Sequence, residues 1–130
     1  CTINKLTNNK AVKVSVKSVY GSNYSNFSPV KTVYTRCKAP TNFKVSAKGS
    51  TYQKLTWKKS SGATQYWIYK YNTKTHKYYK LKVVGNTSSS YIYGLRRNSK
   101  HTYKVYAVKK TSLKTYVSKG SKAVSAWTTR

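Results

Sequence analysis

The sequence predicts an all-β fold: a seven-stranded antiparallel sandwich of two sheets over residues 38–130, preceded by a partial three-strand segment over residues 1–37. Three observations predict it. Short runs alternate apolar with polar residues, as at Leu55/Trp57 and Tyr66/Ile68, which is the mark of a strand with one buried face. Those runs are separated by turn-forming residues at short, regular spacing, and no stretch shows helical periodicity. The chain is 38% hydrophobic and 15% aromatic, with 14 Tyr and 3 Trp, so it carries enough β-forming, buriable material to fold despite its charge.

In chain order, residues 2–6 form a short first strand. Residues 11–20 (AVKVSVKSVY) place Val12, Val14 and Val16 on one face and Lys13, Ser15 and Lys17 on the other. Residues 21–26 (GSNYSN) are a turn and residues 29–35 the returning strand. Three strands alone bury too little to be stable, so this segment needs a neighbour or a second half. Residues 36–41 link it to the rest, with Pro40 at a strand entrance, where no ladder donor is required. Seven strands follow, over residues 42–47, 52–58, 64–72, 77–84, 88–95, 101–109 and 116–128. Between the second and third stands the polar turn Lys58-Lys59-Ser60-Ser61-Gly62.

The charge is the strongest constraint on function. The chain has 27 Lys plus Arg, no Asp or Glu, and a formal net charge of +27. A typical domain is about 25% charged with mixed signs, so on the order of fifteen acids are missing. No side-chain salt bridge can form within the chain, and the folded state repels itself unless counter-ions or a polyanion offset the charge. Carboxylate chemistry is excluded: paired-carboxylate glycoside hydrolysis, the Ser-His-Asp triad in its usual form, EF-hand calcium and carboxylate-held magnesium. A dinucleotide fold would lack its ribose-binding acid. Arg-Gly-Asp recognition and acid-assisted isopeptide crosslinks are excluded as well. Two Cys and two His do not make a zinc spacing. No nucleophile–base pair is present, and nothing points to a catalytic residue, a metal or a cofactor. Four of the cations are Arg36, Arg96, Arg97 and Arg130 and the other 23 are Lys, which favours non-specific attraction to polyanions over base reading.

No apolar run is long enough to span a bilayer, and no secretory leader pattern is seen. The chain contains no Met, so it reads as a processed product, a fragment or a synthetic chain. For Cys1 and Cys37 three readings are open: a disulfide tying the first segment's start to its end, a lipid-modified Cys1, or two thiols that stay apart.

Residues 39–129 resemble a fibronectin type III domain, specifically the Lys- and Tyr-rich variety of Gram-positive bacterial surface proteins. The residues that carry the resemblance are Ala39-Pro40 with Phe43 and Val45, Leu55-Thr56-Trp57, Gly62-Ala63-Thr64 before Tyr66-Trp67-Ile68-Tyr69, Gly94-Leu95, Tyr103-Lys104-Val105, Ser118 and Thr128. Residues 2–35 resemble the last three strands of a preceding copy: Leu6 aligns with Leu95, residues 12–16 with 101–105, Ser28 with Ser118 and Thr35 with Thr128. The family usually has Tyr where Val12 and His101 stand, so a hydroxyl tie at that corner is expected to be missing. The resemblance implies a non-catalytic extracellular or cell-surface module.

Alternation also places the candidate binding residues. With Tyr66 and Ile68 inward, Trp67, Tyr69 and Tyr71 face outward. With Tyr103, Val105 and Ala107 inward, Lys104, Tyr106 and Val108 face outward. Leu81 and Val83 are expected inward, leaving Lys80 and Lys82 outside. Rings beside cations can stack bases or sugars and hold phosphate or carboxylate groups, although cross-strand aromatic pairs also simply stabilise an exposed sheet. Arg96, Arg97 and Lys100 form a second basic group, and Lys109, Lys110 and Lys114 a third. His101 reads as a partly buried corner residue and His76 as an exposed turn residue. The partners expected are anionic polymers: teichoic acid, acidic glycan or nucleic acid. The alternatives are a structural repeat of a surface adhesin or filament, with self-assembly through residues 1–37, and an engineered supercharged chain.

Overall fold

The computed structural model describes residues 2–8 and 10–130, so the expected Cys1–Cys37 pairing lies outside the described residues. Every regular element among them is a strand. The first segment contains β1 (Ala11–Val14), β2 (Val19–Tyr20), β3 (Asn23–Tyr24) and β4 (Lys31–Tyr34). The rest contains β5 (Thr41–Lys48), β6 (Gln53–Lys58), β7 (Gln65–Asn72), β8 (Lys77–Val84), β9 (Ser89–Ile92), β10 (Lys100–Lys110), β11 (Thr115–Val117) and β12 (Val124–Trp127).

One sheet has the order β5-β6-β9. The other has β11-β10-β7-β8, with β12 also on β10, and every pairing is antiparallel. The core between them is formed by Leu55, Trp57 and Ile92 from the first sheet and Tyr66, Ile68, Tyr103, Val105 and Ala107 from the second, closed by Cys37, Ala63 and Leu95. The Trp57 and Tyr66 rings meet at 5.4 Å. Tyr66 is fixed from its other end, because Ser60 N–H donates to its hydroxyl at 2.8 Å. The turn between β6 and β7 reverses through Gly62 at φ 70°, a left-handed conformation that glycine adopts without strain.

The last strand is not continuous. Over residues 118–123 the hydroxyls of Ser118 and Ser121 take the N–H groups of Ala107 and Val105, at 2.9 and 3.0 Å. The chain thus leaves strand geometry without stranding those donors, and β11 and β12 separate.

The first segment is shorter in strand than expected. Residues 2–6 form none, and the run 11–20 breaks after Val14. The turn tightens to Gly21-Ser22, with Gly21 at φ 58°. β1 pairs β4 with Ala11 opposite Tyr34 and Val14 opposite Lys31. Its side-chain bonds repeat those of the larger unit. Thr35 Oγ1 donates to Thr7 O at 2.6 Å, as Thr128 Oγ1 does to Arg96 O at 2.6 Å. Val16 N donates to Ser28 Oγ, as Val105 N does to Ser121 Oγ, and Ser18 N to Ser25 Oγ, as Ala107 N does to Ser118 Oγ. The expected match of Ser28 with Ser118 is therefore corrected: Ser25 answers Ser118, and Ser28 answers Ser121. The offset is 89 residues before the hairpin and 93 after it, because the hairpin of the first segment is shorter by that difference. Its apolar residues lack the cover their counterparts have: Val16 is 66% exposed, whereas Val105 is fully buried.

Candidate functional site: an aromatic and lysine face

β7 alternates, so with Tyr66 and Ile68 buried, Trp67, Tyr69 and Tyr71 project from the outer side of the sheet. Register supplies their neighbours. Tyr106 stands opposite Trp67 and Lys104 opposite Tyr69 on β10; Lys80 stands opposite Tyr69 and Tyr78 opposite Tyr71 on β8. The side chains close over one another. Tyr69 packs on Tyr106 at 4.9 Å and Tyr71 on Tyr78 at 5.1 Å, both tilted edge-to-face rather than stacked. Such aromatic pairs add roughly 0.5–1.5 kcal/mol each beyond area burial. The Lys80 Nζ lies 3.4 Å from the Trp67 ring centre, and the Lys104 Nζ 4.7 Å from that of Tyr78.

With no Asp or Glu in the chain, these two ammonium groups lie over ring faces instead. A cation over a ring is held by the quadrupole yet keeps its hydrogens available. Burial, and then the neighbouring Tyr106, pushes the Tyr69 phenol up. Burial, then Tyr71 and Tyr106, does the same to Tyr78. Both phenols therefore stay neutral hydroxyl donors well above neutral pH. Tyr71 additionally shares a hydrogen bond with His76 Nδ1 at 3.3 Å.

The ring of Tyr106 rests on Gly120, where a Cβ would come within 2.8 Å of Cζ. Gly120 thus lets the 118–123 segment lie flat against the edge of the face.

Six of the expected residues are brought together here: Trp67, Tyr69, Tyr71, Lys80, Lys104 and Tyr106. Lys82 is not among them. A register shift between Ile68 and Tyr69 inserts Leu81 as an extra residue on β8. Beyond it the faces exchange: Val83 turns out opposite Trp67, 51% exposed, and Val84 packs on the core in its place. Lys82 stands opposite Ile68, and its Nζ donates across the sandwich edge to Tyr91 O at 3.2 Å. Val108, expected outward, is buried, flanked by Gln65 on β7 and Val117 on β11. Tyr78 belongs to the face and was missed in the sequence reading. Its position opposite Tyr71 across the Thr73–His76 turn was the available signal.

The other basic residues lie elsewhere. Lys109 places its Nζ 4.6 Å from the Tyr34 ring of the first segment. That ring meets Tyr116 edge-on at 5.8 Å. Lys110 is exposed at the end of β10, its N–H bound to Thr64 Oγ1. Arg96 lines a cleft at one end of the sandwich, which Arg97 does not. At the corner below, the expected loss of a tie is made good: Thr128 Oγ1 donates to Arg96 O, and His101 Nε2 approaches the same carbonyl at 3.4 Å.

No family model matches the chain and no curated protein matches it. Solved structures do. The FN3tt mut domain aligns at 24% identity and TM-score 0.61 over 72% of this chain and 98% of its own. The domain of human fibronectin type III domain containing protein 3 aligns at 23% and 0.59, over 72% of this chain and 86% of its own. A two-domain fibronectin type III segment of chicken tenascin aligns at 13% and 0.66, over 89% of this chain and 63% of that one. The fold is that of a fibronectin type III domain. At these identities the likeness concerns the fold, and a fibronectin type III fold fits a non-catalytic module; its function resides in the surface it displays. Among the described residues no helix is long and apolar enough to cross a membrane, and no group of three or more His, Cys, Asp or Glu gathers to hold a metal.

Proposed function

We propose that this fibronectin type III chain is a cell-surface module that binds anionic polymers (teichoic acid, acidic glycan or nucleic acid) through the face of β8, β7 and β10. The observation that carries the reading is the lattice of Trp67, Tyr69, Tyr71, Tyr78 and Tyr106 with Lys80 and Lys104 set among the rings, in a chain of net charge +27. Sugars or bases stack on the rings while phosphates, sulfates or carboxylates meet the ammonium groups. Attraction of this kind falls with salt, the logarithm of the affinity dropping by about 0.9 per phosphate neutralised on duplex DNA. The test is binding of heparin, poly(glycerol phosphate) and single-stranded DNA across a salt series. The expected result is steep salt dependence with all three, a loss of about tenfold or more in Trp67→Ala/Tyr106→Ala, and a flatter slope in Lys80→Gln/Lys104→Gln. Absence of binding at low ionic strength overturns the reading.

A second reading concerns the first segment: residues 2–35 are the closing strands of a preceding repeat, completed by a sheet like β5-β6-β9. The repeated Ser and Thr bonds favour it, as do the exposed Val16 and Val33 on the side where Val105 and Ala126 meet that sheet's counterpart. The tenascin alignment, which extends past a single domain, supports it. Fusing a copy of residues 39–94 ahead of Leu6 should protect the amides of β1 and β4 from hydrogen exchange. Unchanged protection, or assembly of the unfused chain by light scattering that the fusion leaves intact, would count against it.

A further inference from the structure

One end of the sandwich holds a cluster that the aromatic face does not use. Where β7 turns into β8, and where the loop after β9 enters β10, a cleft of about 410 Å³ opens between Lys70, Lys74, Arg96 and Lys100, with Tyr79, Asn72 and His101 also on its walls. That volume falls within the range of small-molecule pockets, roughly 300–1,000 Å³.

Four cationic residues line this cleft, and the chain has no acidic side chain to balance them. Lys70 is the most exceptional. It stands opposite Tyr103 on β10 and Tyr79 on β8, at the inward-facing position after Tyr66 and Ile68, so its stem continues the core and its ammonium is partly withdrawn from water. Desolvation alone pushes its pKa down. A charge taken out of water without a partner is costly, and the residue types that would ordinarily neutralise it are absent. At the same level of the sheet the Tyr103 hydroxyl is buried and has no hydrogen-bond partner.

The walls are held in place. Asn72 Oδ1 accepts from Lys74 N at 2.9 Å and from Thr75 N at 3.3 Å, which fixes the turn that carries Lys74. The Arg96 carbonyl is fixed by Thr128 Oγ1 at 2.6 Å, and Ser99 N–H is held by the same Thr128 hydroxyl at 3.1 Å. These bonds fix the backbone from which the Lys74 and Arg96 side chains project. In the first segment the positions that answer Arg96, Lys100 and His101 are Thr7, Ala11 and Val12, so the cluster is particular to the complete domain.

We propose that this cleft is a binding site for one phosphate or sulfate ester of sugar size, the anion held by Lys70, Lys74, Arg96 and Lys100 and the substituent resting along Tyr79. Arg96 supplies the planar fork that suits a tetrahedral oxyanion, and the lysines supply point charges around it. The site borders the aromatic face at Tyr71, which lines both, but takes none of that face's lysines. Such a group can come from a free sugar phosphate or from the terminus of a charged polymer.

The experiment is a titration of the full chain, followed by amide and histidine NMR in 150 mM NaCl, with inorganic phosphate, glucose 6-phosphate and heparin in separate arms. Saturable shifts are expected at residues 70–74 and 96–101 with phosphate and, more tightly, with glucose 6-phosphate, while β5 stays still. Saturation by glucose 6-phosphate assigns the free ester as sufficient. The same shifts with heparin alone assign a polymer-borne group. Lys70→Gln and Arg96→Gln should each weaken glucose 6-phosphate binding at least tenfold. Lys44→Gln, which removes the same charge from exposed β5, should change it less than twofold. Arg96 is an exposed loop residue, so its variant remains informative if Lys70→Gln disturbs folding. Equal losses in the three variants, or shifts scattered over lysines without saturation, overturn the proposal. Loss of heparin binding in Trp67→Ala/Tyr106→Ala with glucose 6-phosphate binding intact would show the two sites to be distinct, so either can fail alone.

Discussion

At the scale of single residues, the aromatic face depends on a position that has no side chain. A Cβ at Gly120 would lie 2.8–3.0 Å from two ring carbons and the hydroxyl oxygen of Tyr106, closer than such contacts allow. The ring would have to lift, and its 4.9 Å contact with Tyr69 would open. Gly120→Ala should therefore cost on the order of 1 kcal/mol, at the low end for overpacking because the obstructing group is a mobile ring. It should weaken heparin binding without changing net charge. Urea denaturation and heparin affinity, measured on the same variant, test both parts, and an unchanged affinity would remove Tyr106 from the binding surface. Residues of this kind were hidden in the sequence. Period-two reading put Trp67, Tyr69, Lys104 and Tyr106 on the outer side, where they stand, because burial alternates over the stretch in which residues 66–70 pair residues 103–107; it missed Val108, at the end of that pairing, which is buried. It failed at Lys82 and Val83, because the extra residue at Leu81 exchanges the faces of β8. No Gly or Pro marks that bulge, and Leu81, Val83 and Val84 are equally apolar on paper.

At the scale of elements, the long closing strand expected over residues 116–128 is split, and two serine hydroxyls do the work of the missing ladder. Ser121 Oγ receives Val105 N–H and Ser118 Oγ receives Ala107 N–H, both beside fully buried core residues. Removing either hydroxyl leaves a buried backbone donor without its acceptor, which costs about 1–3 kcal/mol. Ser118→Ala and Ser121→Ala should each lower stability by that amount, read from the urea midpoint. The equivalent Ser28→Ala in the first segment should cost much less, because there the Val16 N–H it frees is exposed and can turn to water. Equal losses at Ser28 and Ser121 would show that the two bonds are buried alike. The sequence carried the strand's existence and placed its end at Thr128, one residue past the observed end at Trp127. It did not carry the break, because Ser is as compatible with a strand edge as with a hydroxyl that captures a neighbour's N–H. The end cleft was half legible for a similar reason. Arg96 and Lys100 lie four residues apart in sequence, whereas Lys70 and Lys74 join them only through the pairing of β7 with β10.

At the scale of the whole molecule, the absence of carboxylate side chains changes how stability responds to solution conditions. Acid unfolding is ordinarily driven by carboxylates that are paired or bonded in the folded state and must be protonated. This chain has no carboxylate side chain, and its acid response turns on histidine instead. For His101, burial, and secondarily the charge of Lys70, holds the folded pKa below its ordinary value near 6.5, with the Arg96 carbonyl opposing them. The unfolded chain therefore binds a proton that the folded chain resists. Stability is greatest above that ordinary value, falls as the pH drops below it, and levels off once the folded imidazole is also protonated. Urea midpoints should step down once in the weakly acidic range and then stay level to about pH 3, and His101→Phe should remove the step. Charge repulsion is the remaining long-range electrostatic effect. Because the Debye length shortens from about 30 Å at 0.01 M to about 10 Å at 0.1 M salt, added NaCl should raise the midpoint at every pH. A protein balanced by internal ion pairs would lose part of that gain as salt screened its attractions, so a midpoint that falls with NaCl would show that attraction within the chain outweighs the mutual repulsion of its cations.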